Sequence, residues 1–249
     1  MYYIIFIIIT LASFLFAMLG LGGGMVYVPV LKWFGLNVKE VAIPLGLLLN
    51  GLNTLFALIP FARAKLVDWK GGAVMATMAF IAAPLGAYST KYVDTEKLMI
   101  LFAFMVLIAA IRMIFIAKQP EPEVQMTLKK RSVIGFLTGS FAGFIGGLLG
   151  LGGGFIIAPV LMWMGYKSKE AAATTAFVVT FSSFSGYMGH VSQGGMNWTL
   201  AAVLIVSVII GSQLGGRFMA KKAKSKQIKL IYGIVLTAVA IKLFWGAFV

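Results

Sequence analysis

The sequence predicts an all-α, polytopic membrane protein made of two homologous halves, and three observations carry that prediction. The chain of 249 residues is 61% hydrophobic and 11% charged, with a mean hydropathy of +0.99. A soluble domain carries about 25% charged residues. Charge-free runs recur at Val41–Phe61, Gly71–Thr90, Leu98–Ile111 and Thr199–Gly216, each approaching the roughly 20 residues that cross a ~30 Å hydrocarbon layer. Finally, residues 19–35, LGLGGGMVYVPVLKWFG, return at 149–165 as LGLGGGFIIAPVLMWMG.

The repeat extends beyond those stretches. Thirteen of the twenty-two positions in 19–40 are identical in 149–170, including the four glycines of each break, Pro29 with Pro159, Trp33 with Trp163, and Lys39-Glu40 with Lys169-Glu170. A weaker match continues one residue out of step: Asp68-Trp69 with Asn197-Trp198, Leu85-Gly86 with Leu214-Gly215, and Lys97 with Lys226. The halves are 1–117 and 132–249, joined by a linker at 118–131 within AKQPEPEVQMTLKKR.

Each half is expected to hold the same elements in order. An apolar arm (Tyr2–Leu19; Ser132–Leu149) leads into the glycine break, and a short apolar arm follows (Met25–Phe34; Phe155–Met164). Three full spans come next, at 41–61, 71–90 and 98–117, then at 171–190, 199–217 and 230–249. The short arm is only about 15 Å long at 1.5 Å per residue, so it is half of a returning hairpin rather than a crossing. The N-terminal arm lacks the positive region of a secretory leader and has an internal counterpart, so it is expected to be retained.

Charge in the loops selects the topology. With a hairpin in each half, loops 63–70, 118–131, 167–169 and 217–229 share one face with fifteen Lys and Arg, against four on the other. A single kinked crossing would give twelve against seven. The cytoplasmic bias of Lys and Arg favours the hairpin, which places the protein in the inner (plasma) membrane with both termini outside and loop 217–229 in the cytoplasm. It also inverts the second half relative to the first, and inverted repeats with paired broken helices are a recurrent transporter design. The net charge of +14 has this topological origin and does not imply nucleic-acid binding.

The glycine breaks bear on function. A break within the bilayer frees backbone N–H groups that must find partners. The short arm after each break points its positive helix end at Gly22, Gly23 and Gly24, or at Gly152, Gly153 and Gly154. Two helix N-termini with open amides make an anion site without any basic side chain. Packing accounts for part of the pattern, because Gly20 and Gly24 form a small-residue pair. No Gly-Lys-Ser/Thr follows, as a nucleotide-phosphate loop requires.

The doubled LGLGGG…PVL…G motif, the four-plus-four segment size and the duplication resemble the TauE/SafE family of sulfite and organosulfonate exporters. The resemblance covers essentially the whole chain and implies export of a small sulfur-containing anion such as sulfite or sulfoacetate, and the inverted-repeat design adds the expectation of alternating access. An anion channel, or an importer for another small oxyanion or carboxylate, is the alternative.

Polar groups inside spans are functional candidates. Asn50 aligns with Thr180 and Asn53 with Ser183, and residues three apart share a helix face, so both pairs are expected to face the breaks as neutral donors. Gln213, opposite Pro84 in the repeat, is a further donor. Thr174 and Ser182 are read as interhelical bonds, and Asn37 with Glu40 as a capping box. Arg112 and Lys242 are placed to snorkel to an interface, and His190 falls at the external end of its span. All seven acidic residues lie in loops or at span ends, which suits an anionic substrate better than a cationic one. With no cysteine and one histidine, no thiol, metal or Ser-His-Asp chemistry can be assembled, so neither enzyme nor cofactor is expected. The partners are a small anion and the lipid bilayer, with a second copy of the chain possible.

Overall fold

The structure is a computed structural model that describes residues 2–117, 124–191 and 198–224, together with 230, 231, 233, 234, 237, 238, 240 and 241. Among these residues there is no strand. The helices are α1 (Tyr2–Met18), α2 (Gly24–Trp33), α3 (Ile43–Arg63), α4 (Trp69–Ser89), α5 (Thr95–Ala117), α6 (Leu128–Leu149), α7 (Gly154–Trp163), α8 (Ser168–Val191) and α9 (Trp198–Lys221). One π turn at Val38–Ala42 leads into α3, and one 3₁₀ turn at Thr90–Tyr92 follows α4. Most of the final span expected at 230–249, with Lys242, lies outside the described residues, as does the side chain of Arg112.

Local chemistry sets several helix starts. Asn37 accepts from the amides of Lys39 and Glu40, and Asp68 accepts from Gly71 N at the start of α4; each satisfies a donor that a helix start leaves open. Only the Asn37 arm of the expected capping box forms. In the second half the bond runs the other way, with Lys167 N donating to the Glu170 carboxylate. α6 starts four residues before the expected arm, so Lys129, Lys130 and Arg131 form its first turn.

Among the described residues four helical stretches are long and apolar enough to cross a bilayer: Val38–Arg63, Trp69–Tyr92, Leu128–Leu149 and Trp198–Lys221. α8 is equally long, but Thr174, Thr175, Thr180, Ser182, Ser183 and Ser185 make it more polar, and all six are buried. A helix so rich in hydroxyls belongs inside the bundle.

The two halves interlock. α4 packs on α6 and α8 of the other half, α9 packs on α1 and α3, and α3 packs on α8. Under the repeat α1 corresponds to α6, α3 to α8 and α4 to α9, so exchanging the halves maps this set of contacts onto itself. Small residues bring the backbones together. Gly139, Gly143 and Gly147 of α6, spaced by one turn, meet the backbones of Met75, Ala79 and Ala83 on α4. Gly211 and Gly215 of α9 likewise meet Thr10 and Phe14 of α1, the small-residue packing that membrane helices favour.

Contact registers fix the directions. Residue numbers rise together for α4 with α6, for α1 with α9, and for α3 with α9, where Phe56 meets Gln213 and Pro60 meets Gly216. They also rise together for α4 with α8, where Trp69 meets Phe177 and Pro84 meets Gly189. They oppose for α3 with α8: Leu47 lies beside Gly186, Asn50 bonds Ser183 and Thr54 lies against Thr180. Hence α1, α3 and α9 run one way, and α4, α6 and α8 the other. Because α1 and α3 share a direction, the chain must return between them, through the first break and α2.

Candidate functional site

Both breaks begin as helix C-termini that glycine alone can finish. After α1 the chain turns left-handed at Gly20 (φ 69°), and Leu21 N bonds back to Phe16 O. After α6 Gly150 (φ 80°) does the same, with Leu151 N on Gly146 O. A Cβ at such angles costs about 1–2 kcal/mol. Gly22 and Gly152 are also left-handed, at φ 66° and 67°. The breaks then diverge: Gly153 stays left-handed at φ 81°, whereas Gly23 has an ordinary φ of −105°.

The breaks are buried and face each other. A methyl on Gly24 would stand 2.6 Å from the Gly150 carbonyl oxygen, and one on Gly154 would stand 2.9 Å from that of Leu21. The tips of α2 and α7 therefore meet inside the bundle, with no room between them for a side chain on either glycine.

Asn50 of α3 is the centre of the site. Its Oδ1 accepts from Gly24 N at 2.7 Å, and its Nδ2 donates to Ser183 Oγ at 2.8 Å and to the Leu151 carbonyl at 3.2 Å. One side chain thus joins the first break, the second break and α8. One turn on, Asn53 takes the amide orientation its neighbours require. Its oxygen accepts from Gly23 N at 3.3 Å and from the Tyr27 hydroxyl at 3.2 Å, and its NH₂ donates to the Ser13 carbonyl at 3.3 Å. Tyr27 OH and Ser13 Oγ share a further bond of 2.6 Å. The positive tip of α2 is therefore capped by the protein itself, which corrects the expectation of two open tips.

The second half does not reproduce this cap. Thr180, the repeat-mate of Asn50, lies 2.7 Å from the Ala176 carbonyl and 2.9 Å from Thr54 Oγ1. Ser183, the mate of Asn53, accepts from Asn50. Ser182, read from sequence as an interhelical bond, donates to the Gly152 carbonyl at 2.6 Å and so belongs to the break. Among the described residues no acceptor meets the amides of Gly153 or Gly154, and the hydroxyl of Thr175 on the adjacent helix is buried without a partner.

The remaining expected residues lie apart. Gln213 donates to the Phe56 carbonyl at 2.8 Å and lines a cavity between α3 and α9, not the breaks. Thr174 accepts from Asp68 N, a helix-to-loop bond. His190 is not an exposed interfacial group: it is 1% exposed, with Nε2 3.3 Å from the Gly147 carbonyl.

A polar cluster ties both halves together at one end of the bundle. Arg131 Nη1 donates to Asp68 Oδ2 at 2.6 Å, to Tyr166 OH at 2.7 Å and to Gln125 Oε1 at 3.0 Å. Tyr166 OH lies 2.9 Å from Asp68 Oδ2. Burial opposes the Asp68 charge, but bonds from Gly71 N, Tyr166 and Arg131 hold its carboxyl below the ordinary range. Burial, reinforced by Asp68, pushes the Tyr166 hydroxyl up to about 12. Among the described residues no group of His, Asp or Glu could hold a metal ion.

Interlocked apolar helices around two opposed breaks define a helical membrane transporter, and the known proteins similar to this chain agree. The family model for the sulfite exporter TauE/SafE matches residues 5–243, and the chain belongs to that family. It is 26% identical to the probable membrane transporter protein YunE of Bacillus subtilis, over 92% of each chain. It is 27% identical to a probable membrane transporter protein of Xylella fastidiosa, over 94% of this chain and 92% of that one. For the probable membrane transporter protein YfcA of Escherichia coli the identity is 23%, over 98% and 90%. No solved structure matches.

Proposed function

We propose that the chain exports a small sulfur-containing anion, such as sulfite, sulfoacetate or a related organosulfonate, by alternating access. The tips are in contact in this conformation, so the anion binds in the conformation of the cycle in which they part, chiefly on the amides of Gly153 and Gly154, with Asn50, Ser183 and the α2 tip on the opposite wall. The observation that carries this reading is the open amide pair: two buried donors at the positive end of α7, with no protein acceptor. Such a pair suits an oxyanion. At about 1.5–3 kcal/mol per hydrogen bond to a charged group, two bonds give roughly 3–6 kcal/mol, which puts binding near the millimolar range. That affinity lets a carrier release its cargo.

The transport cycle rocks one half against the other. Opposite directions in the repeat-mates α1 and α6, α3 and α8, and α4 and α9 support an inverted repeat with its pseudo-axis in the membrane plane. The shared direction of α1 and α3 supports the hairpin topology, and the loop bias of Lys and Arg then puts loop 217–229 in the cytoplasm and both termini outside.

A thermal-unfolding panel on the purified protein tests the reading, with sulfite, sulfoacetate, thiosulfate, sulfate and carboxylates as ligands. One sulfur oxyanion should raise the midpoint selectively, and Gly153→Val should abolish the rise. An equal response to every anion, or none to any, would overturn the proposal.

A further inference from the structure

At the end of the bundle where α3 and α9 finish, their last turns leave a cavity of about 350 Å³ lined by Ile59, Pro60, Arg63, Gln213, Arg217 and Lys221. Three of these side chains are cations, and no acidic residue lines the space. Among the described residues the ion pairs are Lys97 with Asp94 and Arg131 with Asp68, so none of the three bases has a carboxylate partner. Helix ends account for only part of this charge. Each carbonyl terminus carries about half a negative unit, so the two ends of α3 and α9 offset about one of three positive charges.

The surroundings identify the anion. Ile59 lines the cavity, and outside the lining Leu55, one turn earlier on α3, is exposed, as are Leu214 and Phe218 on α9, close in sequence to Arg217 and Lys221. In a bilayer these apolar side chains meet acyl chains, and the three bases sit above them at the level of the headgroups. We propose that this cavity binds the phosphate of an anionic phospholipid, with an acyl chain along Leu55, Ile59, Leu214 and Phe218. A basic pocket between membrane helices is a known form of headgroup recognition.

The repeat supplies an internal contrast. Gln213, Arg217 and Lys221 correspond to Pro84 and Tyr88 of α4 and Tyr92 of the 3₁₀ turn that follows it. There a base, Lys91, lies 3.5 Å over the Tyr88 ring, and Tyr88 and Tyr92 pack edge to face. That end offers the amphipathic aromatics that settle at any membrane interface. The headgroup site is therefore confined to one side of the membrane. It depends only on α3 and α9 lying in a bilayer, not on what the protein transports.

Native mass spectrometry of the purified full chain tests the proposal, with phosphatidylglycerol and phosphatidylcholine as competing lipids and inorganic phosphate as the soluble anion. Phosphatidylglycerol should be retained selectively, and inorganic phosphate should neither bind nor displace it. The Arg63→Gln/Arg217→Gln double variant should hold it about 30-fold more weakly, at about 1 kcal/mol per base. Lys221→Gln alone, which keeps both arginines should the double variant not fold, should weaken retention about 5-fold on the same scale. Lys97→Gln, the same charge change elsewhere, should leave retention unchanged. Equal retention of the two lipids, displacement by inorganic phosphate, or an equal loss in Lys97→Gln would each overturn the assignment.

Discussion

The two glycine breaks share their sequence, yet the protein finishes them differently. In the first, Asn50 and Asn53 reach back from α3 and take the amides of Gly24 and Gly23. In the second, Thr180 and Ser183 stand at the matching positions, and the amides of Gly153 and Gly154 stay open. Side-chain reach explains the difference. An asparagine amide extends an atom farther than a threonine hydroxyl and holds its acceptor oxygen and its NH₂ donor on two separate atoms, which can reach partners on opposite sides. A hydroxyl on a helix is drawn to the carbonyl four residues back, where Thr180 Oγ1 lies. Two tips of like sequence thus differ through two positions on each of α3 and α8: the first is capped by the protein, and at the second, among the described residues, no acceptor meets the amides.

Alanine at Gly153 and at Gly23 should separate the breaks most widely. At Gly153 the left-handed backbone adds about 1–2 kcal/mol, and the methyl runs into the backbone of Ala142, which cannot turn aside. At Gly23 the backbone angle is ordinary and the methyl meets the Tyr27 ring, an overpacking cost of about 1–3 kcal/mol. Chemical unfolding in detergent should find Gly153→Ala the more damaging of the two. Anion-dependent stabilisation should vanish in Gly153→Ala and persist in part in Gly23→Ala. Equal losses of that stabilisation would mean that both tips bind the anion alike.

A smaller difference is expected one layer out. Asn50→Leu keeps the volume but leaves Gly24 N, the Leu151 carbonyl and Ser183 without their partner. Each buried orphan costs about 1–3 kcal/mol, so a loss of at least about 3 kcal/mol is expected. Thr180→Val removes a hydroxyl set against its own helix and Thr54, and should cost about 1 kcal/mol. Denaturant midpoints of the two variants measure the ratio directly. If the two losses match, Asn50 is not the bridge between the breaks.

The contrast also marks how far sequence reasoning reached. Both breaks, the repeat, and the placing of Asn50 and Asn53 against a break were legible, because period and duplication place residues along a helix and on one of its faces; Thr180, expected to face a break as well, lies instead against Thr54 and its own helix. What those data lack is rotation against a partner helix. Gln213 had a sensible depth by alignment, but α9 turns it toward Phe56. The bond from Asn50 to Leu151 spans 101 residues, and that from Ser182 to Gly152 decides which of several similar hydroxyls belongs to the break. Tyr27 and Ser13 meet only because α2 folds back along α1. No local pattern encodes such meetings, although the Asn-to-Thr exchange at positions 50 and 180 could have warned that the tips would not be alike.

The same asymmetry continues past the short helices and yields the smallest expected effect. Where α2 turns into α3 the chain has Leu36, and where α7 turns into α8 it has Tyr166, bonded to Asp68 and Arg131. Asp68 is held below the ordinary carboxylate range. Its contribution is therefore present above about pH 4, the unperturbed value, and lost as pH falls through the lowered folded value. Tyr166 is pushed up to about 12, so its contribution is complete below about pH 10 and lost as pH rises through the folded value. The unfolding midpoint should hold a plateau between these limits and decline on both sides. Asp68→Asn keeps a cap for α4, since asparagine serves there as well, but removes the charge, so it should flatten the acid limb and, because Asp68 helps raise Tyr166, shorten the alkaline one. Tyr166→Phe should remove the alkaline limb and reduce the acid one in part, because Gly71 N and Arg131 still hold Asp68 down when the Tyr166 bond is lost. Because the cluster sits at the partly exposed end of the bundle, both changes should be smaller than that of Asn50→Leu. A profile unchanged by either substitution would show that the turns after α2 and α7 hold equally well without the cluster, and that the two halves differ in stability only at the breaks.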